Sequence, residues 1–257
     1  MPGASGTFYF AYGSNLWLQQ MANRCPNSIY IGRAILSDYC WQINQRGFAN
    51  VVPYSGHNVH GLVYQIDRED EDRLDRSDGV NSGAYSKVYR DVTLFPAQAD
   101  LQAPTRSLVG DEAGLERAIE TSRRRSRRGT LERKSRIVRD VLVYLSPKFI
   151  DGGDPREEYI HRVNSGIRDA TALGIPREFF ENVVRGSIPE QRPPRQMLHR
   201  GAGLRRSTTT APEVTHVEYR EPRPAPRQQG SRRDRRSLRA HQDEFRQQGT
   251  WNCLRAR

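Results

Sequence analysis

The stretch Phe8-Tyr9-Phe10-Ala11-Tyr12-Gly13-Ser14-Asn15-Leu16 decides how this chain is read. Its first half is an aromatic and apolar run of strand length, and its second half is small and polar. A strand that ends in Gly-Ser-Asn leaves backbone N–H groups unpaired at its tip, beside two short polar side chains. Such a tip suits the binding of a carboxylate. Taken alone, the same three residues read equally well as an ordinary turn.

A second cluster lies downstream, Leu74-Asp75-Arg76-Ser77-Asp78-Gly79-Val80-Asn81-Ser82-Gly83-Ala84-Tyr85. Together the two motifs resemble the gamma-glutamylcyclotransferase family. There, the Tyr-Gly-Ser-Asn-Leu loop holds the glutamyl end of the substrate, and a carboxylate in a Leu-Asp-x-x-Glu-Gly-Val segment acts as acid and base. Tyr12, Gly13, Ser14, Asn15 and Leu16 match the loop as written, and Gly79, Val80, Gly83 and Tyr85 match the second motif. Asp78 falls where the family has Glu. Val141-Leu142-Val143-Tyr144-Leu145 is similar to the family's last core strand, and Pro155 to Pro189 to its final helices, so the resemblance covers about residues 7–95 and 139–189. It implies Asp78 as the catalytic residue, with Tyr12 to Leu16, Gly83, Tyr85 and Tyr144 as substrate-binding residues. On strand pattern alone Tyr85 and Tyr144 read equally as core aromatics, and so do Tyr9 and Tyr12. Asp75 and Glu71 read as a solvated helix face.

Apolar and β-branched residues recur without helical spacing in six stretches: Phe8 to Tyr12, Ser28 to Leu36, Cys40 to Gln45, Val59 to Ile66, Ser86 to Phe95 and Arg139 to Ser146. Asp67 is placed to cap an acidic helix over Arg68 to Arg76, whose end delivers Asp78 to a loop. Ile160, Val163, Ile167 and Ala170 share a helical face, and Pro176 opens a second helix bearing Phe179, Phe180, Val183 and Val184. Strands early and helices late give an α+β fold, a small mixed, curled sheet with a few flanking helices. The resemblance narrows that sheet to a small barrel with the cavity at one rim. The domain is expected over residues 1–189, interrupted by a basic low-complexity insertion at about 97–138, with a basic tail over 190–257.

The formal charge of +11 is concentrated in two regions. Residues 117–139 hold 10 Lys/Arg against 2 Asp/Glu, and residues 190–257 hold 16 against 7, which leaves the remainder with a net −6. An acidic domain with basic appendages follows. Both appendages, one carrying Arg123-Arg124-Arg125-Ser126-Arg127-Arg128, are expected to be disordered, because neither has the apolar surface to offset its ordering entropy. No aromatic residues interleave with the first Arg run, so a nucleic-acid partner is disfavoured, though the charge keeps it as an alternative. No apolar run approaches the ~20 residues of a membrane span, and the N-terminus lacks the order of a signal peptide. The expectation is a cytoplasmic protein without a membrane partner, with the nucleus as the alternative that the basic clusters suggest.

Cys25, Cys40 and Cys253 are odd in number and lack a Cys-x-x-Cys pair, which argues against a disulfide scaffold and a zinc site and for inert thiols. His57 and His60 point to opposite faces of an extended stretch, and the other four histidines are isolated, so no metal is expected. Ser14 lacks the second Gly of a nucleophile elbow and has no evident His/Asp pair, which ranks a serine hydrolase low. The chemistry the resemblance implies needs no cofactor. The α-amine of a γ-glutamyl amide attacks its own γ-carbonyl, and 5-oxoproline and a free amine leave. The small-molecule substrate would be a γ-glutamyl amino acid, a glutathione-derived conjugate or a masked biosynthetic intermediate. The alternative is a non-catalytic pocket protein whose basic regions reach an acidic partner, which the shortened carboxylate at Asp78 favours.

Overall fold

Aromatic and β-branched residues are dense enough along the first half of the chain to be buried on both faces of a sheet, and a closed sheet does that without exposed edges. A computed structural model describes residues 6–109, 114–126 and 134–191. Five strands, β1 (Thr7–Ala11), β2 (Ile29–Ile43), β3 (Ala49–Ile66), β4 (Ser86–Pro96) and β5 (Arg136–Leu145), form a closed barrel in the order β1-β3-β2-β4-β5. Neighbours pair antiparallel except where β1 meets β5 in parallel, with Tyr9 beside Leu142, and closes the ring. Phe10, Leu62, Val63, Tyr64, Val141, Leu142 and Val143 are fully buried. Each large apolar side chain removed from water stabilises the fold by about 1.5–3 kcal/mol.

The helices are α1 (Leu18–Arg24), α2 (Arg68–Ser77), α3 (Thr105–Leu108), α4 (Gly114–Ser126), α5 (Glu157–Ala172) and α6 (Arg177–Phe179), which runs on into a π-helical turn over Phe180–Val184. The expected α+β class and barrel are therefore what the chain adopts. Two expected strands, Ser28 to Leu36 and Cys40 to Gln45, are one. Asp38 takes a left-handed conformation (φ 62°) at a register shift, and its carboxylate accepts from Gly56 N–H at 2.9 Å, so β2 and β3 run on through the irregularity as one long hairpin. At the tip, Asn44 Oδ1 accepts from Arg46 N–H at 3.0 Å and Gly47 supplies a positive φ of 85°.

The insertion departs from the expectation of disorder over much of its described length. Tyr30 N–H donates to Ala103 O at 3.0 Å, Ser28 Oγ donates to Thr105 Oγ1 at 2.8 Å, and Thr105 and Leu108 are buried. Residues 114–126 are helical, and Ile119 is buried. Scattered apolar residues, Leu101, Leu108, Leu115 and Ile119, anchor this segment although arginine dominates its composition. Residues 127–133 and the tail over 192–257 lie outside the described residues. Cys25 is a buried free thiol, and Cys40 is buried in β2; Cys253 lies outside the described residues. Among the described residues, no helix is long and apolar enough to cross a membrane, and no group of three or more His, Cys, Asp or Glu is placed to hold a metal ion.

Candidate active site

The loop after β1 is set by its own backbone. Residues Ser14–Leu16 make a 3₁₀ turn in which Leu16 N–H donates to Gly13 O at 3.0 Å and Trp17 N–H to Ser14 O at 3.1 Å. Ser14 N–H donates to the Tyr159 hydroxyl at 3.2 Å, while the N–H groups of Gly13 and Asn15 have no partner among the described residues. The side chains are pinned from three directions. Asn15 Nδ2 donates to the Tyr9 hydroxyl at 2.9 Å, and its Oδ1 accepts from Gln20 at 2.8 Å and from Arg24 at 3.0 Å. Ser14 Oγ accepts from Gln20 at 2.8 Å, and the Tyr64 hydroxyl donates to Asn15 O at 3.1 Å. Leu16 is buried in the core against α5, so it anchors the loop by packing.

Helix α5 presses on this loop along one stripe. Tyr159, Arg162, Gly166 and Asp169 follow a 3-4-3 spacing, which keeps them on one face. A side chain at Gly166 would meet Leu16 Cβ at 2.9 Å and Trp17 N at 3.0 Å, so only glycine permits this approach. Asp169 Oδ2 accepts from Leu18 N–H at 2.9 Å, which places a carboxylate at the start of α1.

Asp78 approaches the tyrosines around this loop from the end of α2. Asp67 caps that helix by accepting from Asp70 N–H at 2.8 Å, and three acidic residues in the first turn complement its dipole. The far end stops at Gly79 (φ 66°, ψ 39°), with Asp78 N–H bonded to Leu74 O at 2.8 Å. A left-handed glycine after the last turn fixes where the chain leaves the helix, and Asp78 is the residue at that exit. Asp78 is half-buried by its own surface, yet the protein encloses its carboxyl closely enough that burial pushes the pKa up to about 6. Arg24 pulls it back most, Asp75 adds to the rise and Arg162 opposes it. Its field reaches Tyr9, Tyr12, Tyr85 and Tyr144. Burial pushes all four phenols above their ordinary range, so they are neutral hydrogen-bonding groups at physiological pH. Asp78 is thus the acidic group among them that titrates near neutrality, the property expected of an acid/base.

The remaining expected site residues are placed as follows. The Tyr12 hydroxyl donates to Tyr144 O at 2.5 Å, the Tyr144 hydroxyl to Asp75 Oδ1 at 2.6 Å, and the Tyr85 hydroxyl to Ala49 O at 2.7 Å. Gly83 is exposed, with a φ of 67° and open space where a side chain would project, so it shapes the turn from outside. Asp75 and Glu71 do not form a solvated face: their side chains are 21% and 17% exposed, and both hold Lys87 Nζ, at 2.9 and 2.8 Å. Gln20, Arg24, Tyr64, Tyr159 and Arg162 complete the cluster and are absent from the sequence-level assignment. The 3-4-3 stripe on α5 is the signal that would have found two of them.

Residues 9–108, which contain both the loop and Asp78, match the family model described as Gamma-glutamyl cyclotransferase, AIG2-like. The gamma-glutamylcyclotransferase of Bos taurus is 30% identical over 90 residues, covering 31% of this chain and 48% of the relative. That of Homo sapiens is 29% identical over 94 residues, covering 33% and 50%. The matched segment spans about half the length of these curated relatives. A solved structure named Gamma-glutamyl cyclotransferase aligns over 70% of this chain and 86% of its own at 21% identity, with a TM-score of 0.48. Over residues 9–108, the segment that carries both the loop and Asp78, the chain is thus similar to the gamma-glutamylcyclotransferase family.

Proposed function

We propose that this protein cyclises the γ-glutamyl group of a γ-glutamyl amide, releasing 5-oxoproline and a free amine. What supports this reading is the placement of Asp78 at the exit of α2, among Arg24, Arg162 and the tyrosines Tyr9, Tyr12, Tyr85 and Tyr144, where burial pushes its pKa up to about 6. The free N–H groups of Gly13 and Asn15, with Arg24 beside them, hold the substrate's α-carboxylate. That grip curls the chain so that the α-amine meets the γ-carbonyl, and well-oriented intramolecular attack reaches effective molarities of about 10⁵–10⁸ M.

The attacking nitrogen begins as an ammonium. Above pH 6 the ionised Asp78 takes a proton from it, the neutral amine nitrogen bonds to the γ-carbon, that proton passes to the departing nitrogen as the amide C–N bond breaks, and the second proton, shed by the ring nitrogen, returns to Asp78 and leaves with the released amine or to solvent. No hydrogen bond from the described residues occupies the Asp78 carboxylate, which leaves it open for this exchange. Tyr9, Tyr12, Tyr85 and Tyr144 stay neutral and shape the wall.

Product identity tests this reading. Purified protein incubated with a panel of γ-glutamyl amides is expected to yield 5-oxoproline and free amine in equal amounts by mass spectrometry. Free glutamate in place of 5-oxoproline would identify a hydrolase and overturn the proposal. Binding without any turnover would leave the non-catalytic pocket protein.

A further inference from the structure

The hydroxyl of Tyr9 is a buried donor to which the described residues offer no acceptor. Tyr9 is 4% exposed, and its oxygen accepts from Asn15 Nδ2 at 2.9 Å. No hydrogen bond among the described residues takes up its own proton. A phenol carries one O–H donor besides its lone pairs, and a buried donor is rarely left orphaned. Burial holds this phenol neutral, so the proton stays on the oxygen. The ring is held in place, edge-on to Tyr144 with centroids 5.7 Å apart and stacked on Tyr64 at 6.4 Å.

Two arginines fix the direction of the bond between Asn15 and Tyr9. Arg24 Nη1, on α1, donates to Asn15 Oδ1 at 3.0 Å, and Gln20 Nε2 donates to the same oxygen at 2.8 Å. Arginine has no acceptor, so the amide oxygen of Asn15 faces Arg24 and its NH₂ group faces Tyr9. Gln20 is set in the matching sense, because its Oε1 accepts from Arg162 Nη1, on α5, at 3.4 Å. Glu158 braces that arginine at 2.8 Å. The Tyr9 oxygen is therefore an acceptor toward Asn15, and its proton is turned away from that amide. The backbone N–H of Asn15 likewise has no partner among the described residues. Two unclaimed donors, one on Tyr9 and one on Asn15, thus adjoin the same loop residue, with the Arg24 guanidinium bonded to it.

We propose that Tyr9 is a substrate-binding residue whose hydroxyl donates to the α-carboxylate of the γ-glutamyl group, alongside the Asn15 N–H. This rests on the reading of the loop as the carboxylate clamp given above. Donors beside a guanidinium select an anionic oxygen over a neutral one, and the α-carboxylate is the charged oxygen pair of the bound glutamyl end. The competing acceptor is the Asp78 carboxylate, which no hydrogen bond among the described residues joins to Tyr9.

A pair of unreactive ligands tests this without turnover. 5-Oxoproline carries the carboxylate, and 2-pyrrolidinone is the same ring without it. NMR titration of the full chain is expected to show that the wild type prefers 5-oxoproline and that Tyr9→Phe lowers this preference about tenfold, the size of one hydrogen bond to a charged group. The affinity for 2-pyrrolidinone stays within about twofold, which a merely structural role would not spare. If Tyr9→Phe fails to fold, 3-fluorotyrosine in place of Tyr9 carries the test: it keeps the hydroxyl, makes it a stronger donor and is expected to raise the preference about twofold. Equal losses for both ligands, no change with either replacement, or no preference in the wild type would overturn the inference. So would unchanged affinities with a displaced acid limb in the pH profile, since the proton would then belong to Asp78. Failure of the cyclisation reading is recognised separately: the preference responds to Tyr9 as described while no γ-glutamyl amide yields 5-oxoproline.

Discussion

Asp78→Asn is expected to lower the rate of 5-oxoproline release by about 10²–10⁴-fold, the range for losing a positioned acid/base, while Asp78→Glu preserves or raises it. Asparagine is nearly isosteric with aspartate, so the surrounding side chains keep their places and only the proton exchange is lost. Glutamate gives the carboxylate the length it has in the gamma-glutamylcyclotransferase motif that this segment resembles. Stability moves the other way. The folded pKa of Asp78 is raised to about 6, so the neutral form is the one the fold prefers. Its stabilising contribution is complete below the unfolded pKa near ~3.9 and is lost as pH rises through 6, leaving a buried charge that costs the fold about 3 kcal/mol at most. Asp78 is only half-buried and so partly wetted, and about half of that is expected to survive. Asp78→Asn is then expected to raise Tm by about 3–6 °C at pH 8 and to leave it unchanged at pH 4. A variant that is inactive and also less stable at pH 8 would mean that Asp78 holds the structure rather than the proton.

Gly13→Ala carries the second large effect. An added Cβ would stand 2.7 Å from the Tyr159 hydroxyl and 3.2 Å from Ala49 Cβ. That hydroxyl accepts from both Ser14 N–H, at 3.2 Å, and Ala49 N–H, at 3.3 Å, so it cannot retreat without releasing the loop or the β3 backbone. The loop must move instead, by something near an ångström, and a misplacement of that size costs about 100-fold in rate. Adding Tyr159→Phe removes the clashing oxygen and is expected to return about tenfold of the loss. Tyr159→Phe alone leaves two backbone donors short of an acceptor, at about 1–3 kcal/mol of stability each at most. Unchanged kcat/KM in Gly13→Ala would remove the loop from the site.

The parts of this architecture that were legible in the sequence are those with local causes. The cap at Asp67 and the exit at Gly79 are chemistry of adjacent residues, so the helix ending at Asp78 was readable to within a residue. The aromatic run at Phe8 gave β1 for the same reason. The long β2–β3 hairpin was not readable, because Pro53, Gly56 and Asn58 carry turn chemistry and the ladder that overrides them depends on a strand elsewhere in the chain. The surroundings of the loop were hidden likewise: Tyr159 lies more than a hundred residues from the Ser14 N–H it accepts from, Arg162 as far from Gln20 on α1, and Lys87 meets Asp75 only once β4 and α2 are in place. The helix in the insertion was masked by its arginines, since composition averages over the few apolar residues that anchor it.

The pH dependence of kcat/KM for 5-oxoproline release tests the central claim most directly, because it reports the essential base of the free enzyme. Asp70 is also pushed up to about 6, by burial and by Asp67, so Asp70→Asn is the necessary control. With Asp78 as the proton carrier, activity falls tenfold per unit below an acid limb near pH 6, and the limb stays in place in Asp70→Asn. Full activity at pH 4.5, or a limb that disappears in Asp70→Asn, would contradict it.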